Sequence, residues 1–236
     1  MGYSERRERE IQSRRQSILD CSRGLFDVKG FAGTTMDDIA AAADLTKATV
    51  YKYFCSKQEI LGSLLLLNLQ TLIKWFSEAD EEHADLREKL SAYGAVLHRF
   101  MHSEVPSSMG SYLLYFEPQA AEMSDSLKAE LREHLRSLFG RAKKLFDDGA
   151  AQNIFTGDFD AAKMSLAVWG AAIGIQVLNS KLTPHILPDF REDAFNEIIR
   201  LAFRGLLERQ NVDESGAQSR RKHIGSKSVK TTGKKK

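Results

Sequence analysis

An all-α fold is predicted by three features of this 236-residue sequence. Its four prolines, Pro106, Pro118, Pro184 and Pro188, leave long runs in which apolar side chains recur at helical spacing. Alternating apolar and polar runs closed by a hairpin turn are missing, and the one Asp-Gly pair, Asp148-Gly149, stands between two helical patterns. Between Phe31 and Leu61, three helix starts follow one another, each with its own capping residue.

From Ile18, the apolar or small residues Cys21, Ser22, Leu25 and Phe26 form an i, i+3, i+4, i+7, i+8 stripe that Lys29-Gly30 closes. This predicts a first helix of about five turns after a charged arm over residues 1–13. Thr34 or Thr35 can cap a helix over Asp37 to Ala43, with Asp38 completing a partial capping box and Ile39, Ala40 and Ala43 forming a narrow apolar face. Asp44-Leu45-Thr46 ends that helix, and Thr46 caps another over Lys47 to Phe54. Ser56-Lys-Gln-Glu59 is a full capping box ahead of a long apolar run from Lys57 to Asp80. Further helices are expected over Asp85 to His102, Ser107 to Met123, Asp125 to Ala151, Asp158 to Ser180 and Asp189 to Gln210, about nine in all, without an internal repeat. Residues 212–236 contain no aromatic side chain and are rich in Ser, Gly, Lys and Arg, which predicts a flexible basic tail.

Composition narrows the function classes. With 42% hydrophobic and 28% charged residues, the chain can bury an ordinary core, so wholesale disorder is excluded. No run of about 18 uncharged apolar residues occurs, and a membrane-spanning protein is not expected. Met1 to Arg15 is dense in Arg and Glu and lacks the apolar centre of a secretory signal, so a cytoplasmic location is expected. Cys21 and Cys55 are too few for a disulfide framework or a zinc site and are expected to be inert thiols. The formal charge of +2 divides into +1 over residues 1–60, −5 over the middle and +6 over the last 24 residues, so a polyanion would meet the two ends.

The region between Phe31 and Leu61 carries the functional signal. Two helices of about two turns are marginal alone and must be packed between longer neighbours. Val50 and Phe54, at i and i+4, supply the inward face of the second. Ala48, Thr49 and Lys52 then point outward, with Lys47 and Tyr51 on one flank and Tyr53 on the other. Small, hydroxyl, aromatic and cationic groups on one face suit the DNA major groove, where Lys, Thr and Tyr reach phosphates and smaller groups reach base edges. The arrangement is that of a helix-turn-helix.

Three segments in order, Thr34-Thr-Met-Asp-Asp-Ile-Ala40, Leu45-Thr-Lys-Ala-Thr-Val-Tyr-Lys-Tyr-Phe54 and Ser56-Lys-Gln-Glu-Ile-Leu61, resemble the signature of the tetracycline-repressor (TetR) family. The resemblance covers residues 14–62. It implies that the helix over Lys47 to Phe54 enters the major groove and that Thr35, Tyr51 and Lys57 meet phosphates, with Thr34 beside them at the preceding helix start. The family commonly has Gly where Ala48 stands, Pro at Cys55 and often His at Tyr53.

Residues 63–211 exceed what DNA binding needs and are expected to hold an effector and to dimerise. Candidate ligand contacts are Phe76, Phe100, Met101, Met109 and Trp169, with Tyr112, Tyr115 and Phe116 on a helix interrupted at Glu117-Pro118. His98 and Gln176 would supply polar groups. The helix over Asp158 to Ser180 is apolar on nearly every side and needs partners all round. Its face of Leu166, Gly170, Ile173 and Val177, with Phe195, Ile199, Ala202, Phe203 and Leu206 of the last helix, is the candidate four-helix interface between two subunits that the resemblance implies. A homodimer calls for a palindromic operator. The reading is therefore a sequence-specific DNA-binding regulator, a repressor released from its operator by a small apolar or amphipathic ligand.

No Gly-rich phosphate loop or nucleophile elbow is present, and neither His83 after Asp80-Glu81-Glu82 nor His134 after Glu130 has the Glu-x-x-His spacing of a di-metal bundle. Catalysis, a metal and a cofactor are not expected. The alternative class is a helical interaction adaptor that touches nucleic acid non-specifically through its basic tail.

Overall fold

The computed structural model describes residues 3–102, 120–155, 160–181 and 197, and the described residues hold seven α-helices, one 3-10 turn and no strand. The helices are α1 (Tyr3–Gly33), α2 (Met36–Ala42), α3 (Lys47–Tyr53), α4 (Lys57–Glu82), α5 (Leu86–His102), α6 (Asp125–Ala151) and α7 (Ala161–Lys181). The all-α expectation agrees with this architecture. The count of about nine is not met among the described residues, because all but residue 197 of the expected helix over Asp189 to Gln210 and most of that over Ser107 to Met123 lie outside them. At the end of the latter, Ala120–Glu122 forms a 3-10 turn rather than a further α-helical turn. The basic tail also lies outside the described residues.

The expected arm over residues 1–13 is helical from Tyr3 onward, so α1 begins well before the apolar stripe. Its Arg/Glu-rich start has good helix formers and i,i+4 partners, including Arg14 and Glu10 at 3.3 Å, and needs no buried face to be helical. Gly30 adopts φ 73°, which breaks α1 at the expected turn.

Two hydrophobic cores result. In the first, Ile18, Leu19, Phe26 and Phe31 of α1 meet Met36, Ile39 and Ala40 of α2, Val50 and Phe54 at α3, and Ile60, Leu61 and Leu64 of α4. In the second, Leu65, Leu69, Leu72 and Phe76 continue down α4 and meet the apolar faces of α5, α6 and α7. Helix α4 is long and apolar enough to cross a membrane, but most of that stretch is buried inside the protein. At Gly62 a Cβ would come within 2.8 Å of Leu127 Cδ2, so the missing side chain lets α4 and α6 approach closely.

Helix α6 ends in a Schellman turn. Asn153 takes φ 53°, its N–H donates to Ala150 O at 3.1 Å, and the N–H of Ile154 donates to Gly149 O at 2.9 Å. The chain thereby folds Phe155 over Gly149, where a Cβ would stand 2.1 Å from the buried ring. Gly149→Ala is therefore expected to lower stability by about 1–3 kcal/mol despite the better helix propensity of Ala, measured by urea unfolding of the purified chain.

Candidate functional site

The first two short helices are built from local polar contacts. Thr35 Oγ1 accepts from the N–H of Asp38 at 3.1 Å, and Asp38 Oδ2 accepts from the N–H of Thr35 at 2.8 Å, completing the capping box of α2. Lys29 approaches Asp38 at 2.7 Å, and its hydrogen bond, followed by those from Thr35, holds the Asp38 carboxyl far below the usual carboxylate range. The turn between α2 and α3 is a second Schellman motif: Asp44 takes φ 54°, its N–H donates to Ala41 O at 3.2 Å, and Leu45 N–H donates to Ala40 O at 2.9 Å. Thr46 then caps α3, accepting from the N–H of Thr49 at 3.2 Å.

Val50 and Phe54 are fully buried and pin α3 to the first core. The opposite side carries Lys47, Ala48, Tyr51 and Lys52, all exposed, with Thr49 half-buried between them. Tyr51 keeps 47% of its surface open, which separates it from the buried aromatic residues of the same core. Lys47 lies 2.8 Å from Asp37 of α2, an exposed pair whose hydrogen bond raises the lysine pKa. Thr49 and Thr46 share a hydroxyl hydrogen bond of 2.8 Å.

Two residues placed among the DNA contacts have hydrogen-bond partners inside the protein. Thr34 is fully buried, its hydroxyl 2.9 Å from Gly30 O and 3.3 Å from Leu25 O, so it latches the end of α1 and offers nothing to a duplex. Lys57 is partly buried: Nζ donates to Phe31 O and Thr34 O, each at 2.7 Å, and lies 4.3 Å from the centre of the Phe31 ring. Burial lowers its pKa. It gives the Thr34 carbonyl a donor and adds a second one to the Phe31 carbonyl, which also accepts from the Thr34 N–H at 3.3 Å, where the chain turns into α2. Tyr53 is half-buried and packs against the first core, and Thr35 is exposed at the start of α2. Arg15 is a residue that spacing did not mark: it donates to Tyr53 O at 2.6 Å and stacks 4.3 Å over the Phe54 ring, tying the end of α3 to α1.

A second site lies in the other core. Phe76, Tyr93, Leu97, Leu145, Phe146 and Trp169 enclose most of a small cavity of about 40 Å³ between α4, α5, α6 and α7. Of the expected ligand contacts, Phe76 and Trp169 line it. His98 does not, being exposed on α5, and Phe100 is buried edge-on against Trp75 at 6.2 Å. The side chains of Met101 and Gln176, and residues Met109, Tyr112, Tyr115 and Phe116, lie outside the described set. At the rim, Arg141 donates to Asp80 Oδ2 at 2.6 Å and to Ser77 Oγ at 2.9 Å, and the Tyr93 O–H donates to Asp80 at 3.0 Å. Burial and the Asp80 charge push the Tyr93 phenol up to about 12, which keeps it a donor.

On the candidate dimer face of α7, Leu166 is 63% exposed, Gly170 is exposed and Ile173 is half-buried. The side chain of Val177 and residues Phe195, Ile199, Ala202, Phe203 and Leu206 lie outside the described set. Cys21 is half-buried and Cys55 exposed, both as free thiols.

Residues 18–64 match the family model of bacterial regulatory proteins, tetR family. This stretch is similar to the N-terminal part of that family. Curated relatives that match include the HTH-type transcriptional repressor KstR2 of Mycobacterium tuberculosis, 30% identical over 81 residues, which are 34% of this chain and 40% of the relative. The biofilm operon regulator IcaR of Staphylococcus aureus is 44% identical over 46 residues, 20% of this chain and 25% of the relative. The chain thus spans less than half the length of either. Solved structures extend the likeness past the matched stretch. The TetR family regulator PfmR of Thermus thermophilus is 24% identical with a TM-score of 0.63, over 80% of this chain and 98% of that one. AibR, solved with isovaleryl coenzyme A and operator DNA, is 17% identical with a TM-score of 0.60, over 80% and 98%. At these identities the fold is shared.

Because Asp44 sits in the left-handed region that favours glycine, Asp44→Gly is expected to raise stability by about 0.5–1 kcal/mol in a denaturant titration. Lys57→Met is expected to lower it by about 1–3 kcal/mol with no DNA present, since the Thr34 carbonyl loses its lysine donor and the Phe31 carbonyl one of its two. A thermal midpoint unchanged by Lys57→Met would return this lysine to phosphate contact.

Proposed function

We propose that this chain is a transcriptional regulator that binds a palindromic operator as a homodimer and is released by a small apolar or amphipathic ligand. The observation that carries the reading is the surface of α3. Lys47, Ala48, Tyr51 and Lys52 face outward on a helix whose other side is locked by Val50 and Phe54. Lys47 exchanges Asp37 for a phosphate at small loss, because an exposed ion pair contributes about 0–1 kcal/mol. Lys52 and Tyr51 add a cation and a phenol beside the small Ala48, the mix that positions a helix on phosphates while leaving room for base edges. The relatives support the assignment of role: KstR2 and IcaR are named as transcriptional regulators, and AibR is described bound to a coenzyme A thioester and to operator DNA.

The open face of α7, with Leu166 and Gly170 exposed, supports pairing of two copies. Two copies of α3 would then read half-sites about one helical turn, roughly 34 Å, apart. Ligand occupancy of the cavity against Phe76 favours a spacing of the two α3 helices that no longer matches the grooves, and it does so only by its differential affinity for the two spacings.

Selection of bound sequences from random DNA by the full-length protein tests this reading. An inverted repeat is expected to be enriched, and Tyr51→Ala or Lys52→Ala is expected to weaken operator binding by about tenfold or more. Removing residues 212–236 is expected to weaken binding to all sequences alike. Loss of selectivity with the tail rather than with Tyr51 or Lys52 would overturn the reading in favour of an adaptor.

A further inference from the structure

The cavity between α4, α5, α6 and α7 is hydrocarbon or aromatic on its walls except at Arg141 and the Tyr93 phenol. An arginine on such a wall is held there by what pairs it. Nη1 reaches Asp80 at 2.6 Å and Nη2 reaches Ser77 Oγ at 2.9 Å, and both members of the ion pair keep about a third of their side-chain surface open, 30% for Arg141 and 33% for Asp80. The pair therefore stands where the cavity meets solvent.

The two partners are not equally dependent on each other. Asp80 also accepts from the Tyr93 O–H at 3.0 Å and faces Lys89 at 3.8 Å, so it remains compensated when the guanidinium turns away. Arg141 has Asp80 as its one carboxylate partner among the described residues. Its planar fork of donors fits another carboxylate without change of geometry. An amine brought to the same place would meet a like charge, and a neutral head group would recover less from a charged donor than a carboxylate does.

We propose that Arg141 is the head-group receptor of this cavity and that the ligand is a short amphipathic monocarboxylate. Its carboxylate replaces Asp80 on the guanidinium while its tail enters among Phe76, Leu145, Phe146 and Trp169. The proposal rests on the ligand-responsive reading above and names the chemistry of that ligand. Size follows from the volume: at roughly 10–15 Å³ per water-sized occupant, 40 Å³ takes only a few heavy atoms before the walls must move, which favours a short tail. The exchange opens a contact between α4 and α6 while the Asp80 contacts to α5 persist, so occupancy is transmitted to the helix that leads to the DNA-binding unit.

Calorimetric titration of the full-length protein with hexanoate, 1-hexanol and hexylammonium tests the assignment, because the three share a tail and differ only in the head. Hexanoate is expected to bind several-fold more tightly than hexanol, and hexylammonium more weakly than either. Arg141→Gln is expected to remove the preference and Arg141→Lys to retain part of it. Asp80→Asn, which weakens the competitor, is expected to tighten hexanoate several-fold and leave hexanol unchanged. This last variant keeps the test decisive if Arg141→Gln fails to fold. Equal affinities for hexanoate and hexanol, a preference that survives Arg141→Gln, no effect of Asp80→Asn, or no binding of hexanoate would each overturn the proposal. Operator release is followed in the same samples. Hexanoate that binds with the expected preference yet leaves DNA bound upholds the receptor role of Arg141 and overturns only the release reading.

Discussion

Helix α4 belongs to both hydrophobic cores, and the rest of the architecture depends on that sharing. Ile60, Leu61 and Leu64 complete the core beneath α1, α2 and α3, and from Leu65 onward the same helix builds the core of α5, α6 and α7. Two polar clamps tie it to α6. Near its start, the two oxygens of Glu59 accept from the N–H and the hydroxyl of Ser124, each at 2.7 Å, and Ser56 donates to Glu122 O at 2.8 Å. Near its end, Asp80 holds Arg141. Both clamps advance in the same chain direction, so α4 and α6 run side by side and in parallel, over a span of roughly 30 Å at 1.5 Å per residue. Between the clamps, Asn68 is buried with neither side-chain amide atom hydrogen-bonded among the described residues. An unpaired buried amide costs about 1–3 kcal/mol, which makes the middle of α4 less satisfied than its ends.

The cations around α3 divide into two kinds. Lys57 and Arg15 are committed to backbone carbonyls and aromatic faces, and together with Thr34 they set the angles between α1, α2 and α3. Lys47 is held only by an exposed carboxylate, and Lys52 stays in solvent. Carbonyls at a helix end that face no water must find a donor, and a lysine stem can deliver one while covering a ring. The surface left for the proposed nucleic-acid contact is accordingly smaller than the number of basic and hydroxyl residues in the motif implies, and it centres on α3.

Local signals were legible in the sequence and long-range ones were not. Thr35, Thr46 and Ser56 each cap the helix that their spacing indicated, because a cap is a contact between residues three apart. Val50 and Phe54 face inward for the same reason: a two-turn helix leaves one pair of apolar positions to bury. The contacts of Lys57 were not legible because they depend on how α1 meets α4, which periodicity does not report, whereas Thr34 turns back onto Gly30 and Leu25 of the helix just before it. The start of α1 was missed because an Arg/Glu helix carries no apolar stripe. Asp80 and Arg141 lie 61 positions apart, on helices whose contact follows from parallel packing rather than from any sequence pattern.

Magnitudes decide how a site in the second core can act on the first. Taking a two-state equilibrium from 1:99 to 99:1 requires about 5.5 kcal/mol of differential binding. An ion pair as exposed as Asp80–Arg141 contributes about 1 kcal/mol at most, so exchanging one carboxylate for another on Arg141 moves the equilibrium only several-fold. The larger part has to come from apolar burial, at about 0.8 kcal/mol per methylene, where Phe76 and Trp169 line the cavity. Phe76 sits one turn before Asp80 on α4, so tail and head group act on the same stretch of the same helix. A tail that outgrows the cavity must displace Phe76 or its neighbours, and α4 cannot absorb that shift locally because Glu59 and Ser124 hold its other end. On the proposed ligand-responsive reading, the displacement would pass along the helix to Ile60, Leu61 and Leu64, the residues on which α3 is seated through Val50 and Phe54.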